Sequence, residues 1–459
     1  MARLNVAFLW HMHQPCYRSP GNRAFRLPWV RLHALKDYFD MVRATDRFPG
    51  LRVTFNLVPS LLDQLAGYAE GASDVHLDLT ALPAAELGEQ QRCQVLRDFF
   101  MANWQTMIRP HPRYWELLEK RGCNFREADL PRIARRFTAA DLLDLQVWFT
   151  LSWVDPLHFE QRADLRELRQ KGRGFTEQDK QVLLAQQAEI LRSIIPAYRA
   201  AWEAGRIEVS TTPYYHPILP LLCDSDVARQ CMPGAALPPR FAYPGDAAAQ
   251  IARGLDYAER LLGRRPAGIW PSEGSVSEQA YDLIAAAGAR WLATDEGILA
   301  RSLALPVRAD AGQRYQAWAL RGQGSPAVFF RDQQLSDLIG FSYAGWKAAD
   351  AAQDMVGRLE QIASGLGAAA ERHVVPIMLD GENCWEFYPG DGREFLDRLY
   401  AGLQASDRLQ CCTFSDYLDR HQPDALPRLA PGSWINGDFG IWIGQDEDNQ
   451  AWTLLLRAR

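Results

Sequence analysis

Residues 4–15 read LNVAFLWHMHQP: a short apolar run of β-forming residues that stops at two histidines, a glutamine and a proline. The same construction recurs along the chain. LRVTFNL runs into Val58-Pro59-Ser60, RIEVSTT into Pro213-Tyr214-Tyr215-His216, and AGIW into Pro271-Ser272-Glu273. RWLAT runs into Asp295-Glu296-Gly297, AVFFR into Asp332, and HVVPIML into Asp380-Gly381-Glu382-Asn383. These are seven candidate strands, most of them separated by amphipathic stretches such as LDYAERLLG and AYDLIAAAG. Apolar strands alternating with helices predict parallel βα units, an α/β fold of TIM-like kind. In such barrels the chemistry collects at the carboxyl ends of the strands, which is where this chain places its His, Glu and Asp residues.

Between residues 85 and 205 the pattern changes to long helices. LGEQQRCQVLRDFFMANW, AADLLDLQVWFTLSW and DKQVLLAQQAEILRSIIPAYRAAWEAG carry the helical period. Thr138 and Thr176 stand as N-caps, each with an aspartate, Asp141 or Asp179, three residues on. The predicted organisation is therefore a first part of the barrel over 1–84, a helical insertion over 85–205, and a second part over 206–425. A tryptophan-rich C-terminal region over 426–459, short or truncated, follows the proline-rich PDALPRLAPGS.

Composition narrows the function. The 459 residues carry 50 basic and 56 acidic side chains, a net charge of −6 without long runs of either sign, which excludes a nucleic-acid-binding surface by charge. The opening apolar run is neither a secretory signal nor a membrane span. Eight cysteines lack zinc-type spacing and read as reduced thiols of a cytoplasmic protein. Oligomeric state leaves no mark on the sequence. The 15 tryptophans exceed what a core needs, and tryptophan beside polar loops makes platforms for flat apolar ligand faces.

Glu273 and Asp380 form the best candidate catalytic pair. Both follow apolar strands directly, and both neighbour a tryptophan, Trp270 or Trp385. Cleaving a glycosidic bond takes two carboxylates: one attacks or stabilises the sugar cation and the other protonates the leaving oxygen. Asp295, Glu296, Glu382 and Glu386 are rivals. His11 and His13 are spaced to share a strand face, and with His216 they suit either a metal or sugar hydroxyls. Asp295 suits a substrate hydroxyl or a helix cap. Arg331 and Asp332 read as a buried ion pair supporting the rim. Trp29, Trp270, Trp434 and Trp442 are candidates for stacking on sugar rings, with core packing as the alternative for each.

Taken in order, WHMHQP, TTPYYHPILP, GIWPSEGSVSE, MLDGENCWE and GSWINGDFGIWIG resemble the five motifs of glycoside hydrolase family 57, the α-glucan-active family. The resemblance spans residue 11 to about 444. It implies an incomplete (β/α)7 barrel followed by a small helical region, and a retaining reaction with Glu273 as nucleophile and Asp380 as acid/base. It further implies that His11, His13, His216, Trp29, Trp270, Asp295, Trp385, Trp434 and Trp442 bind an α-glucan or maltooligosaccharide, without cofactor or metal. Family members include amylases, amylopullulanases, 4-α-glucanotransferases and branching enzymes; WPSEGS and DGENCWE are worded most like the amylase and amylopullulanase type. Gln445 stands where such relatives lead one to expect histidine. Two other classes fit parts of the pattern: a metal-dependent deacetylase or mannosidase-like enzyme using the histidines, and a non-catalytic α-glucan-binding protein.

Overall fold

The computed structural model describes residues 2–19, 24–305, 311–322 and 324–459. Its strands are β1 (Leu4–Met12), β2 (Val53–Leu57), β3 (Ile207–Ser210), β4 (Gly268–Ile269), β5 (Trp291–Asp295), β6 (Trp318–Ala319), β7 (Ala327–Arg331), β8 (Val374–Asp380), β9 (Leu409–Cys411) and β10 (Asp424–Ala425). All seven runs expected from the sequence are strands, and every pairing among them is parallel. Three short strands, β6, β9 and β10, add to them, with β6 antiparallel to β7.

Two sheets result. One has the order β3-β2-β1-β8 with β9 also on β1; the other runs β10-β6-β7-β5-β4. A parallel bridge between Thr211 and Ile269 joins them at the end of β3, and the Asp332 N–H donates to the Pro376 carbonyl at 2.9 Å on the opposite side. Among the described residues the ladder does not close into a continuous barrel. β1 is buried along its whole length, as its apolar sequence requires. Register then does something sequence alone does not reveal: Ser210 pairs with Asn56, Asn56 with His11, and His11 with Asp380. One polar layer thus crosses four strands at their carboxyl ends.

Helices fill the chain between β2 and β3, among them Glu89–Asp98, Pro112–Arg121, Ala139–Leu151 and Glu177–Glu203. Thr138 and Thr176 both form capping boxes with Asp141 and Asp179, satisfying first-turn N–H groups. These helices bury a core of their own, including Leu96, Phe99, Leu117, Leu142, Phe149 and Trp153. A buried ion pair, Arg31 with Asp74 at 2.6 Å, links the helix Trp29–His33 to the N-cap of the helix Val75–Ala81, and Arg31 also donates to Gln187 of the helix Glu177–Glu203 at 3.0 Å. The last segment returns to the strand ends through an antiparallel bridge, Val276 to Gly432, before the helix Asp446–Ala458. Among the described residues no helix is long and apolar enough to cross a membrane. All eight cysteines are free thiols.

Candidate active site

The turn after β4 presents Glu273 with φ 57° and ψ 29°, left-handed backbone that a non-glycine residue adopts at a cost. His216, in the turn after β3, has φ 58°. The two strained residues meet: His216 Nε2 lies 3.1 Å from Glu273 Oε1. Burial lowers His216 to about 3, so its ring is neutral near pH 7 and its Nε2–H donates to the carboxylate. Trp434 Nε1 donates to the other oxygen, Oε2, at 3.0 Å, and its backbone N–H donates to the Glu273 carbonyl at 3.1 Å. Gly274 follows with φ 57°, and a Cβ there would press on Trp270 and Trp434. The glycine after Glu273 is therefore required by both the turn and the space.

Asp380, the last residue of β8, lines the same cavity as Glu273, a space of roughly 710 Å³. Arg331, Trp434, Phe341 and Phe387 also face it. Burial, and then the charge of Glu273, push Asp380 up to about 6, against the opposing hydrogen bond from Asn383 and the Arg331 charge. Asp380 is thus held near the pH at which a carboxyl group serves as a proton donor.

His11 and His13 gather with His216 around Glu273, although none of the three histidines lines that cavity. One ligand atom from each of His11, His13, His216 and Glu273 lies within 4.8 Å of all the others. The His13 ring stacks on His216 with centroids 4.1 Å apart. His11 Nδ1 sits 2.8 Å from Asn56 Oδ1, and Asn56 Nδ2 donates to Ser210 Oγ at 3.0 Å. Burial, then the neighbouring His216 and His13, lower His11 well below its usual value; burial takes His13 to about 3.

The other expected site residues fall in varied places. Trp270 is fully buried behind the histidines, 5.9 Å from His11 and 5.0 Å from Trp434 between ring centroids. Trp385 is buried beneath the Asp380 loop, where its Nε1 donates to the Gly381 carbonyl at 2.9 Å. Asp295 caps the helix Glu296–Leu303 through Gly297 and pairs with Arg331 at 3.3 Å. Trp29 packs on Trp153 and His33 at the edge of the helical core, and Trp442 packs in the C-terminal cluster around Phe439 and Ile443. Neither lines the cavity with Glu273 and Asp380.

The expected Arg331–Asp332 pair is absent. Arg331 bonds Asp295, Asp337 and the Met378 carbonyl, and its guanidinium lies over Trp434. Asp332 bonds Arg314 at 2.6 Å and Tyr315 at 2.7 Å. Successive strand residues face opposite ways, so neighbours in the sequence are poorly placed to pair. Asn56, Asn383, Phe341 and Phe387 escaped the sequence reading. Asn56 alone left a signal, as a polar residue near the carboxyl end of the strand-forming run LRVTFNL.

Parallel strands that deliver two carboxylates to one cavity are the framework of a glycoside-cleaving enzyme. The chain belongs to glycosyl hydrolase family 57, whose family model matches residues 7–430. No individual curated protein sequence matches it. Among solved structures it resembles a branching enzyme of the family from Thermococcus kodakaraensis, with TM-score 0.61 and 16% identity over 99% of this chain and 78% of that one. The Pyrococcus horikoshii branching enzyme gives TM-score 0.59 and 16% identity over 98% and 76%. The α-amylase AmyC of Thermotoga maritima gives 0.54 and 14% over 96% and 79%. At these identities the likeness is one of fold.

Proposed function

We propose that the chain is a retaining α-glucan glycosidase or transglycosylase that cleaves α-1,4 links, with α-1,6 links as a second target, through a covalent glycosyl-enzyme intermediate. In this reading Glu273 attacks the anomeric carbon while Asp380 gives its proton to the leaving oxygen. Asp380 then takes a proton from water, giving hydrolysis, or from a sugar hydroxyl, giving transfer. The observation that carries the reading is Asp380 itself, raised to about 6 in a cavity it shares with Glu273 and partly by the charge of Glu273. The His216 and Trp434 donors hold the nucleophile's two oxygens in place. The exposed rings of Phe341 and Phe387 offer faces on which sugars stack. The branching enzymes and the amylase among the structural neighbours support α-glucan as the substrate class.

The seven parallel strands β1, β2, β3, β4, β5, β7 and β8 then act as an incomplete (β/α)7 barrel. Residues 85–205 are an insertion into it, and 426–459 a region that brings Trp434 to the site. Eight free thiols suit a cytoplasmic setting.

Glu273→Gln tests the assignment. Turnover of maltoheptaose should fall by about 10³-fold or more while the circular dichroism spectrum stays native; near-normal turnover would refute it. Products of the wild-type chain separate the branches of the reading. Longer sugars from maltoheptaose mean transfer, maltotriose from pullulan means α-1,6 cleavage, and short maltodextrins alone mean amylase action.

A further inference from the structure

His11, His13 and His216 form an unusual surround for a sugar site. His11 Nε2 is buried and has no hydrogen-bond partner among the described residues, while Nδ1 faces Asn56 Oδ1. A ring nitrogen facing an amide oxygen carries the proton, so Nδ1–H donates and Nε2 keeps its lone pair. Asn56 is fixed in that orientation by donating through Nδ2 to Ser210 Oγ. A histidine whose far nitrogen is tied to an oxygen acceptor, with its other nitrogen unpartnered and neighbouring imidazoles packed beside the ring, has the outer support usual for a metal ligand. His216 Nε2 and Glu273 Oε1 are 3.1 Å apart, close to the edge of about 3.3 Å spanned by two ligands of a tetrahedral zinc ion with bonds of about 2 Å; for Nε2 to ligate, the ring proton moves to Nδ1, which is buried and has no hydrogen-bond partner among the described residues. One ligand atom from each of the four residues lies within 4.8 Å of all the others, so an ion bound by all four draws them closer together.

We propose that His11, His13, His216 and Glu273 bind one zinc ion, or a transition metal of like preference, and that this ion excludes substrate and so inhibits the enzyme reversibly. Three imidazoles and one carboxylate are a ligand set that zinc favours over calcium or magnesium. A zinc ion coordinated by Glu273 occupies the oxygen that would attack the sugar, and it draws in the ring nitrogens available to sugar hydroxyls. The inhibitory half of the proposal rests on Glu273 being the nucleophile; the binding half does not.

The test reads metal directly. The full-length chain is stripped with chelator, dialysed against zinc chloride, and its metal-to-protein ratio measured. The expected result is one equivalent per chain, lost in His13→Gln and in His216→Gln. Asn56→Ala should weaken binding by about 10–100-fold, because only the support of His11 is removed. Zinc held by scattered surface histidines would not respond to Asn56. The wild-type cobalt complex gives a readout that needs no variant: the strong visible absorption of a four- or five-coordinate ion. Maltoheptaose turnover should fall in step with zinc occupancy and return with chelator.

No retained zinc, retention indifferent to all three substitutions, or a weak six-coordinate cobalt spectrum overturns the metal site. Full turnover with the site loaded overturns the inhibition. A chain that retains zinc at these residues yet never turns over an α-glucan upholds the metal site and sinks the proposed function instead.

Discussion

Asn383 donates to Asp380 Oδ2 at 3.4 Å and favours its charged form, while burial and Glu273 favour the neutral one and win, leaving Asp380 at about 6. The sign for catalysis follows. Protonating the leaving oxygen needs neutral Asp380, so kcat/KM should fall as pH rises through about 6. Asn383→Ala removes an interaction with the charged form, and the alkaline limb should move up by about half a pH unit. A pH series of kcat/KM on an aryl maltooligoside measures both, and a limb indifferent to Asn383 would remove Asp380 from the acid role. Trp434 acts on the other carboxylate. Trp434→Phe keeps the aromatic body and deletes one hydrogen bond to a charged oxygen, about 1.5–3 kcal/mol. If that bond positions Glu273 for attack, kcat/KM should drop about 10–100-fold with little change in thermal midpoint. Steady-state kinetics beside a melting curve decides it, since a purely structural tryptophan would lower the midpoint first.

At the scale of elements, β4 is two residues long, yet it aims the turn that carries Glu273. Gly268 makes this possible: any Cβ there would overlap the Trp291 ring, itself fixed by donating to Glu208 at 2.9 Å. Gly268→Ala should therefore cost about 3 kcal/mol or more, seen as a lower urea midpoint, because neither ring nor strand has room to retreat. Loss below about 1 kcal/mol would mean that Trp291 repacks freely. The seven expected strands were legible because each follows an apolar run stopped by a polar cluster, even β4, which pairs over only two residues. β6, β9 and β10, of two or three residues, do not stand out as such runs. Glu273 and Asp380 were legible by the same rule of strand ends. What the sequence withheld was direction. Trp270 read as a stacking candidate with core packing as the alternative, and Trp385 as a substrate contact beside Asp380; both are buried. Arg331 and Asp332 read as partners because they are adjacent, and strand alternation sends them apart. Asn56 became visible only when register set it beside His11.

Across the whole molecule, the chain holds more buried ionisable groups than the proposed reaction uses, and these shape how stability responds to pH. Burial pushes Glu382, two residues beyond Asp380, up to about 8, with Gln14 donating to its Oε1 at 2.7 Å. Asp155 is likewise raised to about 8, mainly by burial. Unfolded, such carboxyls titrate near 4, so between about pH 4 and 8 the folded chain holds protons that the unfolded chain has lost. Their contribution is complete below about pH 4 and declines as pH rises, with a limiting slope of about 1.4 kcal/mol per pH unit for each group. His13, His216 and His158, all lowered to about 3 by burial, work in the opposite sense. They cost stability below the ordinary histidine value of about 6.5 and nothing above it. The two sets oppose each other in acid, and above about pH 6.5 only the carboxyls remain. The thermal midpoint should therefore fall between about pH 6.5 and 8. Glu382→Gln supplies a neutral isostere of the protonated acid and removes one group from that balance. Its midpoint should match the wild type near pH 5 and exceed it near pH 8.5, flattening the decline. Melting curves across that range measure the difference, and parallel wild-type and variant profiles would mean that Glu382 does not retain its proton in the folded chain.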